Sequence, residues 1–379
     1  MATTQNPTTT TTTTTAAGAP SLTFPREIFA ALSPSPFLLA HLTTPQPQQN
    51  QWQKPQKQQT QQQTLRPNAR TTSAFRAPTV NTSSLTHCHG SAVVRLGDTA
   101  VVAGVRGEIL YRRDVPDPPR GTSTEDANDA SSGEAEDDGD DRAEIDKLGL
   151  LVPNVELATG ASPKHLPGSP PSAQAQSLTA RLLNLLRGSG VVRARDLRIS
   201  YTEPRVEEGE GMLVEGVEVE SENREVKAWW TLYIDVLFIS LDGNAFDAAW
   251  GAVMAALGDT KLPRAWWERD VECVVCDDGV KSLRGLSLRG LPVAASWGVF
   301  EHREEGQKNT AWMLADPDLF EEGLCREVVT VVVDRSGGKT KVLRVEKSGG
   351  GVVGKEVLRT VVTAAERRWT DWRGLLKEQ

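Results

Sequence analysis

Apolar residues first recur in a regular way after Pro25, which suits a first helical turn, with Ile28, Phe29 and Leu32 at helical spacing before Pro34. The pattern predicts a short helix within Phe24–Leu42, docked on other structure because so short a helix is marginal alone. Ser91–Leu96 and Thr99–Val105 are β-rich runs around Gly97-Asp98, the signature of a hairpin with a primed turn. Order is expected again at Val152–Leu157, followed by a Pro/Ser loop over Ser162–Ser172. Leu178, Leu182, Leu185 and Leu186 then mark one face of a helix, with Gly188 placed to close it. Trp230–Leu241 reads as a long buried strand and Asp242-Gly243-Asn244 as a turn. A second amphipathic helix follows with Phe246, Trp250, Val253, Met254 and Leu257, ended by Gly258. Beyond Lys261–Arg264 the runs shorten to strands at Val271–Cys276, Val293–Phe300, Asn309–Leu314, Val328–Asp334 and Lys341–Glu346. The last two flank Arg335-Ser336-Gly337-Gly338, another hairpin signal, and Gly349-Gly350-Gly351 leads into a helix with Leu358, Val361, Val362 and Ala365.

Strands followed by helices, twice over, argue for an α+β fold of two halves of similar design rather than an alternating parallel one. The halves are expected at 65–260 and 261–379, after a Thr-rich disordered tail (1–22) and a segment (23–64) that joins the first helix to a mobile Gln-rich tract. Between Glu125 and Asp146 stand eleven acids against Arg142, so a solvated acidic loop is expected over 122–147. That run accounts for the formal charge of −8 and leaves the rest slightly basic. A strong electrostatic footprint for nucleic acid is therefore absent overall, though a local basic face is possible. Four irregularly spaced cysteines make no disulfide framework. With no apolar h-region and no stretch near the roughly 20 residues that span a bilayer, an intracellular protein without membrane contact is expected.

Several segments in order resemble the RNase PH family. Leu65-Arg66-Pro67-Asn68-Ala69-Arg70, Gly90-Ser91-Ala92 and Leu96-Gly97-Asp98-Thr99 are similar to its opening. Tyr233–Val236, Leu241–Asn244 and the Ala-rich helix ending at Leu257 resemble its middle. Leu314-Ala315-Asp316-Pro317, Glu321-Glu322 and Thr330–Asp334 resemble its second half. Thr23–Glu27 and Leu262–Ala265 narrow the resemblance to the silent ring subunits of the eukaryotic RNA exosome. The resemblance implies a duplicated RNase PH-like fold of sheet and helix layers in a six-membered ring around an RNA channel. Its expected partners are other RNase PH-like ring subunits, RNA-binding cap subunits, associated hydrolytic nucleases and RNA, in nucleus, nucleolus and cytoplasm. No cofactor is expected.

Active members of that family use phosphate to attack the 3′-terminal phosphodiester, and place a small hydroxyl residue and an arginine straight after the Asp-Gly turn. Here Asn244-Ala245-Phe246-Asp247 stands there instead. Asp247 in a first helical turn suits the helix dipole but repels phosphate, and Phe246 fits the apolar stripe with Trp250 and Val253. Asp316 and Glu322 match the family's two acids and could serve acid–base chemistry or a metal. The blander reading, preferred without a phosphate site, is that Asp316-Pro317 starts a turn while Glu321 and Glu322 cap or solvate the next element. The expectation is a degenerate site and a structural subunit. An active phosphate-dependent exoribonuclease and a free-standing RNA-binding module are the alternatives.

The remaining motifs point to less. Cys273 and Cys276, three apart on a strand, face opposite sides, and His87-Cys88-His89 lacks further ligands, so no metal is expected. Neither GxGxxG nor GxxxxGK[ST] is present, nor a GxSxG elbow. Arg66, Arg70, Arg76, Arg106, Arg112 and Arg113 are candidates for weakly sequence-dependent RNA contact, with a solvated or partner-facing role as the blander reading. The tryptophan pairs Trp229-Trp230, Trp266-Trp267 and Trp369/Trp372 belong to the core or to an interface.

Overall fold

The computed structural model describes residues 25–43, 65–119, 134–202, 224–302, 310–351 and 353–377. The Thr-rich tail, the Gln-rich tract and the acidic run before residue 134 lie outside these residues. Pro34 divides the first helical segment into α1 (Arg26–Leu32) and α2 (Pro34–Thr43). The expected docking is made by other residues than the periodicity suggested: Ile28, Phe29 and Leu32 are exposed, while Phe37, Leu38 and Leu42 of α2 are buried. Leu38 and Leu42 pack with Phe300 and Leu314, and Phe37 meets Phe320 edge-on at 6.0 Å.

The hairpin of β2 (Gly90–Leu96) and β3 (Thr99–Tyr111) forms as expected, with β1 (Pro78–Thr82) antiparallel to β2. The solvated acidic loop needs correction, because Glu134–Leu148 is a helix, α3. Asp141 and Glu144 on it are buried against arginines, and Ile145 joins the core. Composition records the charges but not their partners, which lie far away in sequence.

Next come β4 (Leu151–Leu157), α4 (Ala173–Ser189), α5 (Ala194–Leu197), β5 (Arg198–Thr202) and β6 (Arg224–Ser240). The four leucines of α4 are buried as predicted, but the left-handed cap is Gly190, not Gly188, and its N–H donates to Leu186 O at 3.3 Å. The first sheet runs β1-β2-β3-β6-β4, with β5 also on β6. β4 is parallel to β6, so one crossover unit sits inside an otherwise antiparallel sheet.

After β6 the chain turns into α6 (Ala245–Asp259), which passes Gly258 by one residue. Every residue from Ala245 to Leu257 is buried, so α6 is apolar all round rather than amphipathic. It packs on β2 and β3 and also on the second sheet. Two short pairs intervene, β7 (Lys261–Leu262) with β10 (Arg284–Gly285) and β8 (Ala265–Glu268) with β9 (Cys273–Cys276). The second sheet contains β11 (Val293–His302), β12 (Thr310–Ala315), β13 (Glu327–Asp334) and β14 (Lys341–Ser348) in the antiparallel order β12-β11-β13-β14. α7 (Leu319–Leu324) links β12 to β13, and α8 (Lys355–Lys377) covers β11 and β13. The main apolar core is continuous across both sheets. Trp372 of α8 lies so close to Gly251 that a Cβ there would stand 2.2 Å from the indole, which only glycine avoids.

Candidate functional site at the start of helix α6

The turn from β6 into α6 is built on left-handed backbone at Gly243 (φ 69°) and Asn244 (φ 49°). A Cβ on Gly243 would lie 2.5 Å from the Asp318 carbonyl carbon, so glycine lets the turn approach the segment before α7. Asn244, a residue type that tolerates this backbone, turns its side chain away from capping α6. Its Nδ2 donates to Asp247 Oδ2 at 2.9 Å and Asp316 Oδ1 at 2.6 Å. Its backbone N–H donates to Glu322 Oε1 at 3.1 Å. One asparagine therefore gathers all three candidate carboxylates.

Each carboxylate already has internal partners. Asp247 accepts from the Ser296 N–H at 2.9 Å and Ser296 Oγ at 2.7 Å, and burial pushes its pKa up. Asp316 takes a two-point contact from Arg76, Nε at 2.9 Å and Nη2 at 2.8 Å, plus the Arg76 N–H at 2.8 Å. Burial alone would raise the Asp316 pKa, but hydrogen bonds and charge from Arg76 hold it at about 2. Glu322 is raised by burial, opposed by the Asn244 N–H. It is half-buried at the cleft and does not cap α7. Capping of α7 falls to Asp318 and Glu321, which form a capping box.

Phe246 is buried, and the Arg181 guanidinium from α4 stacks 3.9 Å from its ring centroid. Arg181 is itself paired with Glu346 at 3.1 Å and donates to Thr330 Oγ1 at 3.3 Å. Between these elements lies a cleft of about 170 Å³ whose lining includes Arg181, Asn244, Phe246, Ser296, Glu322 and Thr330. Thus the cleft has one stacked, paired arginine and a carboxylate on the N–H at the start of α6. Sequence reading missed Arg181, because nothing in the α4 periodicity distinguishes it from other polar positions.

Arg66 is buried, and Arg70 and Arg76 are partly buried against carboxylates of the segment around α7. Arg66 and Glu321 form a fully buried ion pair at 2.9 Å, and Arg66 also donates to the Thr71 and Ala74 carbonyls. Burial disfavours the charged form of both, lowering the Arg66 pKa and raising that of Glu321, so each needs the other. Arg70 bonds the Asp316 carbonyl at 3.0 Å. Their partners Asp316 and Glu321 lie far on in the chain, Arg66 and Glu321 being 255 residues apart. Arg106 is exposed beside Asp235 at 3.5 Å, Arg112 donates to the Val226 carbonyl, and Arg113 stacks on Tyr111 at 4.7 Å.

Other candidates settle into place. Trp229, Trp230, Trp369 and Trp372 are buried and Trp266 is exposed. Cys273 and Cys276 sit on β9, and His89 Nδ1 accepts from the Gly107 N–H at 3.0 Å. No cluster of three metal-ligating side chains occurs among the described residues. No described helix is long and apolar enough to cross a membrane.

Residues 74–263 match the model of the RNase_PH 3′ exoribonuclease family, domain 1, and the chain belongs to that family. Within it, the chain is similar to Exosome complex component rrp43 of Schizosaccharomyces pombe, 27% identical over 353 residues, covering 93% of this chain and 98% of that protein. It is also 26% identical over 294 residues to Exosome complex component Rrp42 of Methanothermobacter thermautotrophicus, covering 77% of this chain and 83% of the relative. In fold it is similar to a chain of the Archaeoglobus fulgidus exosome with RNA bound to the active site, at TM-score 0.53 and 23% identity over 82% of this chain and 92% of that one.

Proposed function

We propose that the chain is a non-catalytic structural subunit of an exosome-type ring, supporting 3′-to-5′ RNA processing and degradation by shaping the RNA channel and docking partners. Relatives that cover 93% and 77% of the chain carry exosome-component names, which supports the assembly. One observation carries the silent role: Phe246 stands buried under Arg181 where active members have an arginine, and Glu322 takes the Asn244 N–H at the mouth of α6. An incoming phosphate would meet carboxylates and an arginine already bound to Glu346. Asp316 serves as the counter-ion of Arg76 rather than as an acid–base group. Its partners in this reading are other RNase PH-like ring subunits, cap subunits, hydrolytic nucleases and RNA, in nucleus, nucleolus and cytoplasm.

The test is purification of the native complex through a tag on this chain, with mass spectrometry and RNA decay assayed with and without phosphate. Ring subunits near unit stoichiometry, and no phosphate-dependent decay by the isolated chain, are expected. A lone chain that releases nucleoside diphosphates from RNA, abolished by Asp316→Ala, would overturn the proposal.

A further inference from the structure

A second opening, of about 340 Å³ against about 170 Å³ for the α6 cleft, lies along the free edge of the first sheet. One side of it is β4, and the other is the loop that joins β4 to α4. β4 ends the sheet order and pairs with β6 alone. The Leu232 N–H donates to Leu150 O at 2.7 Å and the Ala158 N–H to Phe238 O at 3.1 Å. A parallel ladder engages alternate residues of each strand. These two bonds therefore assign Val152, Asn154 and Glu156 to β6 and turn the backbone of Pro153, Val155 and Leu157 to the open side. Among the described residues nothing accepts from the Val155 or Leu157 N–H.

The facing loop does not close on the strand. Its N–H groups serve the loop itself, that of His165 donating to Ser162 O at 3.0 Å and that of Ser169 to Leu166 O at 3.2 Å. Pro167, Pro170 and Pro171 have no N–H to give. Val155 and Leu157 both line the opening, and residues two apart on a strand stand about 6.6 Å from each other. Alternate residues of an added strand offer carbonyls at that same repeat. An unpaired strand edge beside a slot is the geometry of strand addition.

The charge of the slot narrows its occupant. Lys164 is exposed and has no ion pair among the described residues. Ser172 and Ala175 bring the N-terminal end of α4 to the opening, where the helix dipole is positive. Glu156 is the one acid among the described residues of the lining, and Leu166, 63% exposed, adds an apolar lip. No arginine lines the slot, whereas a nucleic-acid strand is held by several bases. We infer that this opening takes an extended segment of a partner protein, which adds to β4 as a strand and sets a carboxylate against Lys164 and the start of α4. The site is separate from the α6 cleft and does not rest on the silent-subunit reading.

The test uses the full chain and the labelled peptide acetyl-Thr-Val-Thr-Val-Thr-Val-Asp-amide. Saturable binding below about 1 mM is expected, with slowed amide hydrogen exchange confined to residues 151–158. Methylating the peptide's valine amide nitrogens or, separately, its threonine ones should abolish binding in one case only, because one edge of the peptide faces β4. Lys164→Glu, at an exposed loop position, should weaken binding about fivefold to tenfold. Exchanging the peptide's aspartate for asparagine should weaken it similarly and remove the effect of Lys164→Glu. No saturation by 1 mM, equal loss from methylation on either edge, or protection elsewhere than 151–158 would overturn strand addition. A Lys164→Glu chain that binds as wild type does would overturn the carboxylate seat. Oligouridylate that protects 151–158 at lower concentration than the peptide would overturn the protein assignment.

Discussion

Asp316→Asn isolates the charge at the centre of the α6 network. The substitution keeps side-chain volume and suits the backbone, since Asp316 has φ 49°, where asparagine is tolerated. It replaces one acceptor oxygen with an amide donor in a site where Arg76 and Asn244 both donate. Two routes give the size of the loss. The pKa falls from 3.8 to about 2, so the ionised form is worth about 2–3 kcal/mol to the folded state. Removing one partner of a buried ion pair costs about 3–5 kcal/mol, because the other charge is left without compensation. A loss of about 2–5 kcal/mol at pH 7 is expected in urea unfolding followed by tryptophan fluorescence. The sign with pH follows from the depressed pKa. The contribution is complete above about 3.8 and is lost as pH falls through about 2. Wild type should therefore lose stability over that window while the variant shows a shallower acid limb. A loss under about 1 kcal/mol, or identical acid limbs, would refute a structural ion pair at Asp316.

Three further outcomes are open to the same unfolding assay. Arg66→Met should cost about 3–5 kcal/mol, whereas Arg66→Met with Glu321→Leu should recover only part of it, because no buried charge is left but the Glu321 half of the α7 capping box and the bonds of Arg66 to the Thr71 and Ala74 carbonyls are lost too. Leu38→Ala should cost about 2–5 kcal/mol and speed proteolysis near residues 26–43, since Leu38 is fully buried in the small cluster that docks α2. Gly251→Ala should cost at least about 1–3 kcal/mol and shift near-UV circular dichroism, because its methyl collides with the Trp372 indole.

The elements whose signal is local were legible in the sequence. The β2–β3 and β13–β14 hairpins and the leucine face of α4 came from periodicity and turn residues alone, and so did the strand expected over Trp230–Leu241, although it runs Arg224–Ser240 and leaves Leu237 and Ile239 exposed rather than buried. Phe246 and Asp247 were placed correctly at the start of α6 because the Asp-Gly turn marks that start. What escaped depends on distance. Asp141 and Glu144 look like solvated acids until α5, β5 and the approach to β11 bring Arg198 and Arg289 beside them. Arg66, Arg70 and Arg76 look like surface bases until Asp316 and Glu321 arrive. A charge reads as exposed in sequence whenever its counter-charge lies in another element, and this chain buries several such pairs.

The pairing of the segment before β1 with that around α7 bears on how the protein is made. Arg76 and Asp316 are separated by 240 residues. At about 5–20 residues per second a ribosome needs roughly 12–48 s to cover that distance. Throughout that interval the three arginines emerge as hydrated bases, and the first sheet lacks the carboxylates that later anchor its leading edge. The nascent chain therefore has a waiting period set by translation rather than by folding. Slow codons between the two segments would lengthen the exposure.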